Sequence, residues 1–236
     1  GYGVAPDTAT DSVPALVGGG VPAVVAVVVT RNPGPWLETM LESLAAQEYA
    51  NLTTLVVDAA SVVDPTQRVA DVLPNAFVKR AHDPSFAAAA NAALGAIEGA
   101  SFYLFCHDDV ELGPGTVQAM VEEAFRSNAG IVGAKLVDWD DPEHLRSVGG
   151  SIDKFGFAWP IAEPNELDQS QHDAVREAFV VSSAAMLVRC DLFADLGGFS
   201  TDIDGWGEEL DLCWRARIAG GRTVGMPAAV VRHRER

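Results

Sequence analysis

Residues 23–47 read AVVAVVVTRNPGPWLETMLESLAAQ, and this stretch decides the fold. The run over residues 23–30 is continuous, apolar and β-branched, the pattern of a strand covered on both faces. Two prolines and a glycine in residues 31–35 stop it. From residue 36 the period becomes helical, with Trp36, Met40, Leu41, Leu44 and Ala45 on one face. A doubly buried strand followed at once by an amphipathic helix is the first half of a βαβ unit, and it predicts a parallel sheet.

Outward from that unit the alternation continues. Strand 52–58 (LTTLVVD), a weaker helix 66–72, strand 76–80 and an alanine-rich helix 86–97 come first. Strand 102–106, helix 115–127 and strand 130–137 follow. Residues 138–174 break the rhythm: they are polar, carry several glycines and prolines, and hold Trp139, Phe155, Phe157 and Trp159. Order resumes over residues 178–189, then helix 190–196, the loop GGFSTDIDGWG (197–207), helix 208–218 closed by Gly220 and Gly221, and a last strand 228–233. The expectation is an α/β protein, one domain with a Rossmann-like, mainly parallel central sheet flanked by helices. A flexible arm over residues 1–20 precedes a domain over 21–236, with functional halves 21–137 and 138–236.

Composition bounds the function. Of 236 residues 48% are apolar and 21% charged, which is ordinary globular usage. A formal net charge of −17 excludes gripping nucleic acid or an anionic membrane through the overall field. An anionic ligand would therefore need local help, from a cation, a helix N-terminus or placed arginines. Cys106, Cys190 and Cys213 are widely spaced in apolar surroundings, which predicts reduced core thiols in a cytosolic setting. Residues 13–30 lack charge, but Gly18, Gly19, Gly20 and Pro22 interrupt them, so they do not read as a membrane span.

In an open parallel sheet, ligands bind beyond the C-terminal ends of the strands. Thr30, Arg31 and Asn32 stand there after the first strand, and Asp58 and Ser61 after the second. FCHDDV (105–110) then ends a later strand in His107, Asp108 and Asp109. Adjacent carboxylates point apart in extended chain, whereas positions 107 and 109 can share a side. An imidazole and a carboxylate placed together could ligate a divalent cation whose open positions accept phosphate oxygens. The plainer account is a solvated turn in which an Asp caps the next element.

In DGWGEELDLCWR (204–215), Glu208, Glu209 and Asp211 occupy the first turn of a helix, where the macrodipole favours negative charge. Asp211 and Arg215, four apart, could simply pair. A helix start behind a glycine-rich loop also suits a carboxylate general base. His233, in VVRHRER (230–236), ends its strand as the other candidates end theirs.

Four pieces carry a family resemblance: VVAVVVTRNPGPWLETMLESLAAQ (24–47), LVVDAAS (55–61), FCHDDVELGPGTV (105–117), and VSSAAMLVRCDLFADLGGFSTDIDGWGEELDLCWRARIAGG (181–221) with the later VVRH. In this order and spacing they resemble a family-2 glycosyltransferase of the GT-A fold, most similar to rhamnosyl- and galactofuranosyl-transferase-like members. The resemblance runs from about residue 21 to the end. It implies an inverting transfer of a sugar from a nucleotide-diphosphate sugar to a hydroxyl of a glycan or lipid-linked acceptor, with Mn2+ or Mg2+ as cofactor. The setting implied is bacterial cell-envelope polysaccharide or glycolipid assembly, in the cytoplasm or at the cytoplasmic face of the membrane, with no nucleic-acid partner.

The resemblance also assigns residues. Thr30, Arg31, Asn32 and Asp58 match positions that hold the donor's base and ribose, and Asn91 in FAAAANAAL (86–94) and Asp108 also fall to the donor. HDD stands where the family has Asp-x-Asp, which makes Asp109 the leading metal ligand, with His107 and His233 beside it. Glu209 takes the place of the catalytic carboxylate, with Asp211 beside it, and Trp206, Glu208, Gly150 and Ser183 fall on the acceptor side. This sequence departs from the pattern at His107, which replaces the first acid, and at Glu209, which replaces an Asp. Ala59 and Ala60 follow Asp58 where polar residues are usual, and Ser85 replaces a common glycine.

Two other classes fit part of the pattern. A non-catalytic nucleotide- or carbohydrate-binding module would accommodate the changed motif. A metal-dependent nucleotidyltransferase would bring a glycine-rich basic loop after the first strand, and RNPGPW is a poor version of one. The absence of an initiator Met adds the expectation of a catalytic domain belonging to a larger protein, membrane-associated through segments beyond this chain.

Overall fold

The computed structural model describes residues 20–96, 98–203 and 207–234; the rest of the expected arm, residues 1–19, lies outside them. Strand β1 (Val24–Thr30) is buried along its whole length. Its twofold period divides it between two cores. Val24, Ala26 and Val28 pack with Leu37, Met40, Leu41 and Leu44 of α1 (Leu37–Ala45) on one face, while Val25, Val27 and Val29 join Phe105, Phe193 and Phe199 on the other. The unbroken apolar run is thus what a strand between two helical layers requires. Ala45, expected on the buried face of α1, is exposed. Ser43 is buried in that helix instead, because its hydroxyl donates to Met40 O (2.7 Å) and accepts from Leu112 N (3.1 Å).

The chain continues through β2 (Leu52–Ala59), α2 (Thr66–Val72), β3 (Phe77–Ala81), α3 (Phe86–Ala90), β4 (Phe102–His107), β5 (Val110–Leu112), α4 (Thr116–Arg126) and β6 (Ile131–Asp138). Then come β7 (Leu145–Ser147), β8 (Gly150–Ile152), β9 (Ala158–Pro160), β10 (Arg176–Glu177), β11 (Ala185–Arg189), α5 (Cys190–Asp195), α6 (Glu208–Ile218) and β12 (Thr223–His233). The main sheet has the order β10-β12-β6-β11-β4-β1-β2-β3, with β5 added to β12 and β7 to β6, while β8 and β9 form a separate hairpin. Strand β1 runs parallel to β2 on one side and to β4 on the other. The strand order reverses there, which makes the β1/β4 edge the switch point where such sheets bind ligands.

The expected α/β architecture with a central sheet between helices is present, and its details differ in three places. Strand β11 is antiparallel to both neighbours, β4 and β6. The chain leaves β6 at the C-terminal edge of the sheet, makes its long excursion there, and re-enters from the same edge. The expected helix 86–97 stops at Ala90 and becomes a 3-10 turn over Asn91–Ala93, with Gly95 at φ 72° and Ile97 outside the described residues. The expected strand 228–233 is longer and begins at Thr223. It passes Pro227, which cannot donate to a ladder, through a register shift between Met226 and Val230.

The three cysteines are free thiols, and burial pushes each up to about 12. Among the described residues no helix is long and apolar enough to cross a membrane.

Candidate active site

Parallel register aligns the ends of β1, β2 and β4: Thr30 lies opposite Asp58, and Val29 opposite His107. Thr30 is buried, and its hydroxyl donates to Asp108 Oδ2 at 2.5 Å, which turns that carboxylate toward β1. Asp58 has no exposed surface. Such a carboxylate needs compensation, and Arg80 Nε supplies it at 2.9 Å while Ser61 N donates to its other oxygen at 3.2 Å. Arg80, on β3, is the register partner of Asp58 on β2. Asn32 takes a left-handed φ of 49°, and from there its N–H donates to Ser61 Oγ (2.7 Å) and its side-chain oxygen accepts from Val62 N (2.8 Å). The residues at these strand ends thus form a braced rim of three loops.

Beyond β4 the chain turns so that Asp109 has partners other than those of Asp108. The pairing of β5 with β12 sets His233 opposite Val110, and Arg234 N donates to Asp109 O at 3.0 Å. His233 Nε2 thereby comes within 3.4 Å of Asp109 Oδ1, and His107 Nδ1 lies 4.0 Å from the same oxygen. Ligand atoms of His107, Asp109 and His233 lie within 4.8 Å of one another. Two imidazole nitrogens and one carboxylate fit a divalent first-row cation such as Mn2+ better than Mg2+, which favours oxygen ligands and retained water. His107 is held from behind by Ser183 Oγ (3.2 Å) and edge-on by the Phe86 ring, 5.2 Å between centroids. Ser183 reaches it because β11, running antiparallel, begins beside the end of β4, where His107 N donates to Ala184 O at 3.2 Å.

Helix α6 supplies the opposing wall. Gly207 precedes it at φ 118°, a conformation that favours glycine, and Glu208, Glu209 and Asp211 fill its first turn. Burial pushes the Glu209 carboxyl above its ordinary value; its own backbone N–H offsets part of this, and the charge of Glu208 adds to the rise. Asp211 is bonded to Arg215 Nε at 2.8 Å, and Arg215 donates onward to Leu196 O and Gly198 O, each at 2.9 Å. The helix start is thereby tied to the turn after α5.

A cavity of about 690 Å3 opens between these walls. Arg31, His107, Asp108, Asp109, Gly150, Ser183, Glu208, Glu209 and His233 all line it. Thr30, Asn32, Asp58, Asn91 and Asp211 are not among the lining residues; each is engaged in the hydrogen bonds that shape the neighbouring loops. The amide of Asn91 accepts from Phe199 N and donates to Phe199 O, both at 2.8 Å. Trp206 lies outside the described residues. Two contributors had no sequence signal: Phe86, which only the fold sets on His107, and Arg146, a lining residue of β7 paired with Asp138 at 2.9 Å. Arg80 could have been found by aligning β3 against β2.

The strand order, with a cavity at its reversal, defines an open α/β sheet that has room for a ligand at its switch point. The sequence matches the profile of glycosyltransferase-like family 2 over residues 22–236, and the chain belongs to that family. It is 28% identical to an N-acetylglucosaminyl-diphospho-decaprenol L-rhamnosyltransferase of Mycobacterium tuberculosis, over 88% of this chain and 74% of that protein. It is 27% identical to a pre-mycofactocin glycosyltransferase of the same species, over 90% of this chain but 43% of that one. Among solved structures, GalNAc-T7 with UDP, GalNAc and Mn2+ superposes with a TM-score of 0.75 at 13% identity, covering 92% of this chain and 44% of that one. The mannosyltransferase PcManGT of Pyrobaculum calidifontis, in complex with GDP-Man and Mn2+, gives 0.65 at 19%, covering 94% of this chain and 59% of that one. At these identities the structural likeness speaks to the fold, which is that of the GT-A glycosyltransferases.

Proposed function

We propose that this chain is an inverting glycosyltransferase that moves a sugar from a nucleotide-diphosphate sugar to a hydroxyl of a glycan or lipid-linked acceptor. The observation that carries the proposal is one cavity with His107, Asp109 and His233 clustered on one wall and the partly buried Glu209 on another. The rhamnosyltransferase relative, named for a diphospho-decaprenol acceptor, supports a lipid-linked acceptor, and the setting proposed is cell-envelope assembly at the cytoplasmic face of the membrane.

His107, Asp109 and His233 would hold a divalent cation, which would neutralise charge on the departing nucleoside diphosphate. Thr30, Arg31, Asn32, Asp58 and Asp108 form the donor rim, with Asn91 bracing it through Phe199. Glu209 accepts the proton of the acceptor hydroxyl as its oxygen attacks the anomeric carbon and the bond to the diphosphate breaks. Asp211 positions Glu209 by fixing the first turn of α6 through Arg215. Glu208, Gly150, Ser183 and Trp206 serve the acceptor, so that residues 21–137 handle the donor and 138–236 the acceptor. A local cation also explains how a chain of net charge −17 would hold a polyanion.

Calorimetry with a panel of nucleoside diphosphates, with and without Mn2+, tests the proposal. The wild type should bind only with metal, and Asp109→Ala should lose at least about tenfold in affinity. Unchanged affinity in that variant would refute the metal site.

A further inference from the structure

The hairpin β8–β9 has a feature that holding a donor does not explain. Ser151 pairs with Trp159 and Ile152 with Ala158, and every residue from 154 to 160 is exposed. Within that stretch Phe155, Phe157 and Trp159 are 75%, 64% and 58% exposed. Each such ring carries about 150–250 Å2 of mostly apolar surface, so holding three of them in water is unfavourable.

The backbone nevertheless enforces it. Asp153 Oδ1 accepts from Phe155 N (2.8 Å) and Phe157 N (3.0 Å), Oδ2 accepts from the Trp159 indole N–H (3.3 Å), and Asp153 N donates to Phe157 O (3.0 Å). Hydrogen bonding lowers the Asp153 carboxyl, first through Phe157, so the brace stays charged at neutral pH. The rings are presented outward by a built turn.

We propose that this hairpin is a membrane-interface anchor that seats the mouth of the cavity on a lipid surface. The occupant follows from shape and composition. A projecting tip finds its complement in a fluid interface, which closes around it, whereas a protein partner would need a matching pocket. Two Phe and a Trp stand beside Lys154, one of three lysines in the chain, whose ammonium lies 5.0 Å from the Phe155 ring centroid. Aromatic rings with a lysine in the turn among them, whose long stem lets the ammonium reach back to the phosphate level, match the boundary between acyl chains and headgroups. Trp159 and Pro160 also line the cavity, so the tip and the mouth are one continuous surface. The inference rests on the proposed function only for its benefit, the delivery of an acceptor hydroxyl displayed at headgroup level.

The net charge of −17 sets a further expectation. Attraction must be apolar, so zwitterionic vesicles are bound at least as well as anionic ones, the reverse of a polybasic anchor.

The test is co-sedimentation of the whole chain with phosphatidylcholine vesicles, and with vesicles that also contain phosphatidylglycerol. Calorimetry of Mn2+-dependent nucleoside diphosphate binding and a thermal melt are run on the same preparations. The wild type should sediment with phosphatidylcholine. Phe155→Ser combined with Phe157→Ser should lose on the order of tenfold in partitioning, with nucleotide binding and melting unchanged. No vesicle binding by the wild type, or equal binding by the double variant, overturns the proposal. So does pelleting without vesicles that the double variant abolishes, since the hairpin would then be a contact between protein copies. Absence of nucleotide binding in the wild type would instead overturn the proposed function and leave the vesicle result standing.

Discussion

Glu209 draws its chemistry from the start of a helix. Gly207 turns the chain into α6, the first turn collects three acids, and of the two that line the cavity, Glu208 and Glu209, burial raises Glu209. A base must be deprotonated to act, so the transfer rate should fall as pH drops through a value above the 4.5 of an ordinary glutamate. The stability effect has the same origin. A raised carboxyl favours the folded state fully below the unfolded value, and that contribution is lost as pH rises through the folded one. Replacing Glu209 by Gln removes the buried charge. The variant should lose about 10²–10⁴-fold in turnover, keep nucleotide binding, and melt no lower than the wild type at neutral pH. Full turnover would refute the base assignment, and a markedly lower melting temperature would refute the burial argument. The acids themselves were legible in the sequence; which of them was buried depended on how the helix packs.

At the scale of elements, the ending of α3 shows a local signal overridden from a distance. Five alanine-rich residues form the helix, and Ser85 caps it by accepting from Ala88 N at 3.2 Å. Helix propensity would carry it further, but Asn91 spends its amide on the backbone of Phe199, 108 residues away. No window of sequence around Asn91 contains that partner. Truncation to Ala would strip the backbone groups of Phe199 of their partners and should cost about 1–3 kcal/mol in urea unfolding. Gly198→Ala attacks the same joint, since its Cβ would stand 2.4 Å from Asn91 Oδ1 at a φ of +80°. The double variant should cost less than the sum of the single ones, and strict additivity would show that the two sites are independent.

At the scale of the whole molecule, the long excursion between β6 and β11 is fastened to the sheet by Lys135. Its side chain, 7% exposed, donates to Asp168 at 2.6 Å and Asp173 at 2.8 Å. Asp173 is half exposed, so solvent screens part of this, and Lys135→Met should cost about 1–3 kcal/mol. Residues 162–175 should then be nicked first in limited proteolysis; cleavage unchanged from the wild type would show that other contacts hold the segment. The hairpin β8–β9 belongs to the same excursion.

The sequence by itself determined which surfaces of each element must be buried. It showed β1 covered on both faces, the alternation that makes the sheet, and the polar residues collected at strand ends. Hydrophobic period and turn residues are local quantities, and they report burial without naming what does the burying. Tertiary structure alone decided that β11 enters antiparallel and that Arg80 balances Asp58. It also decided that β5 pairs with β12, so that His233 joins His107 and Asp109 across more than a hundred residues of chain. Those choices depend on register between distant strands, and register is set by the packing of the whole molecule.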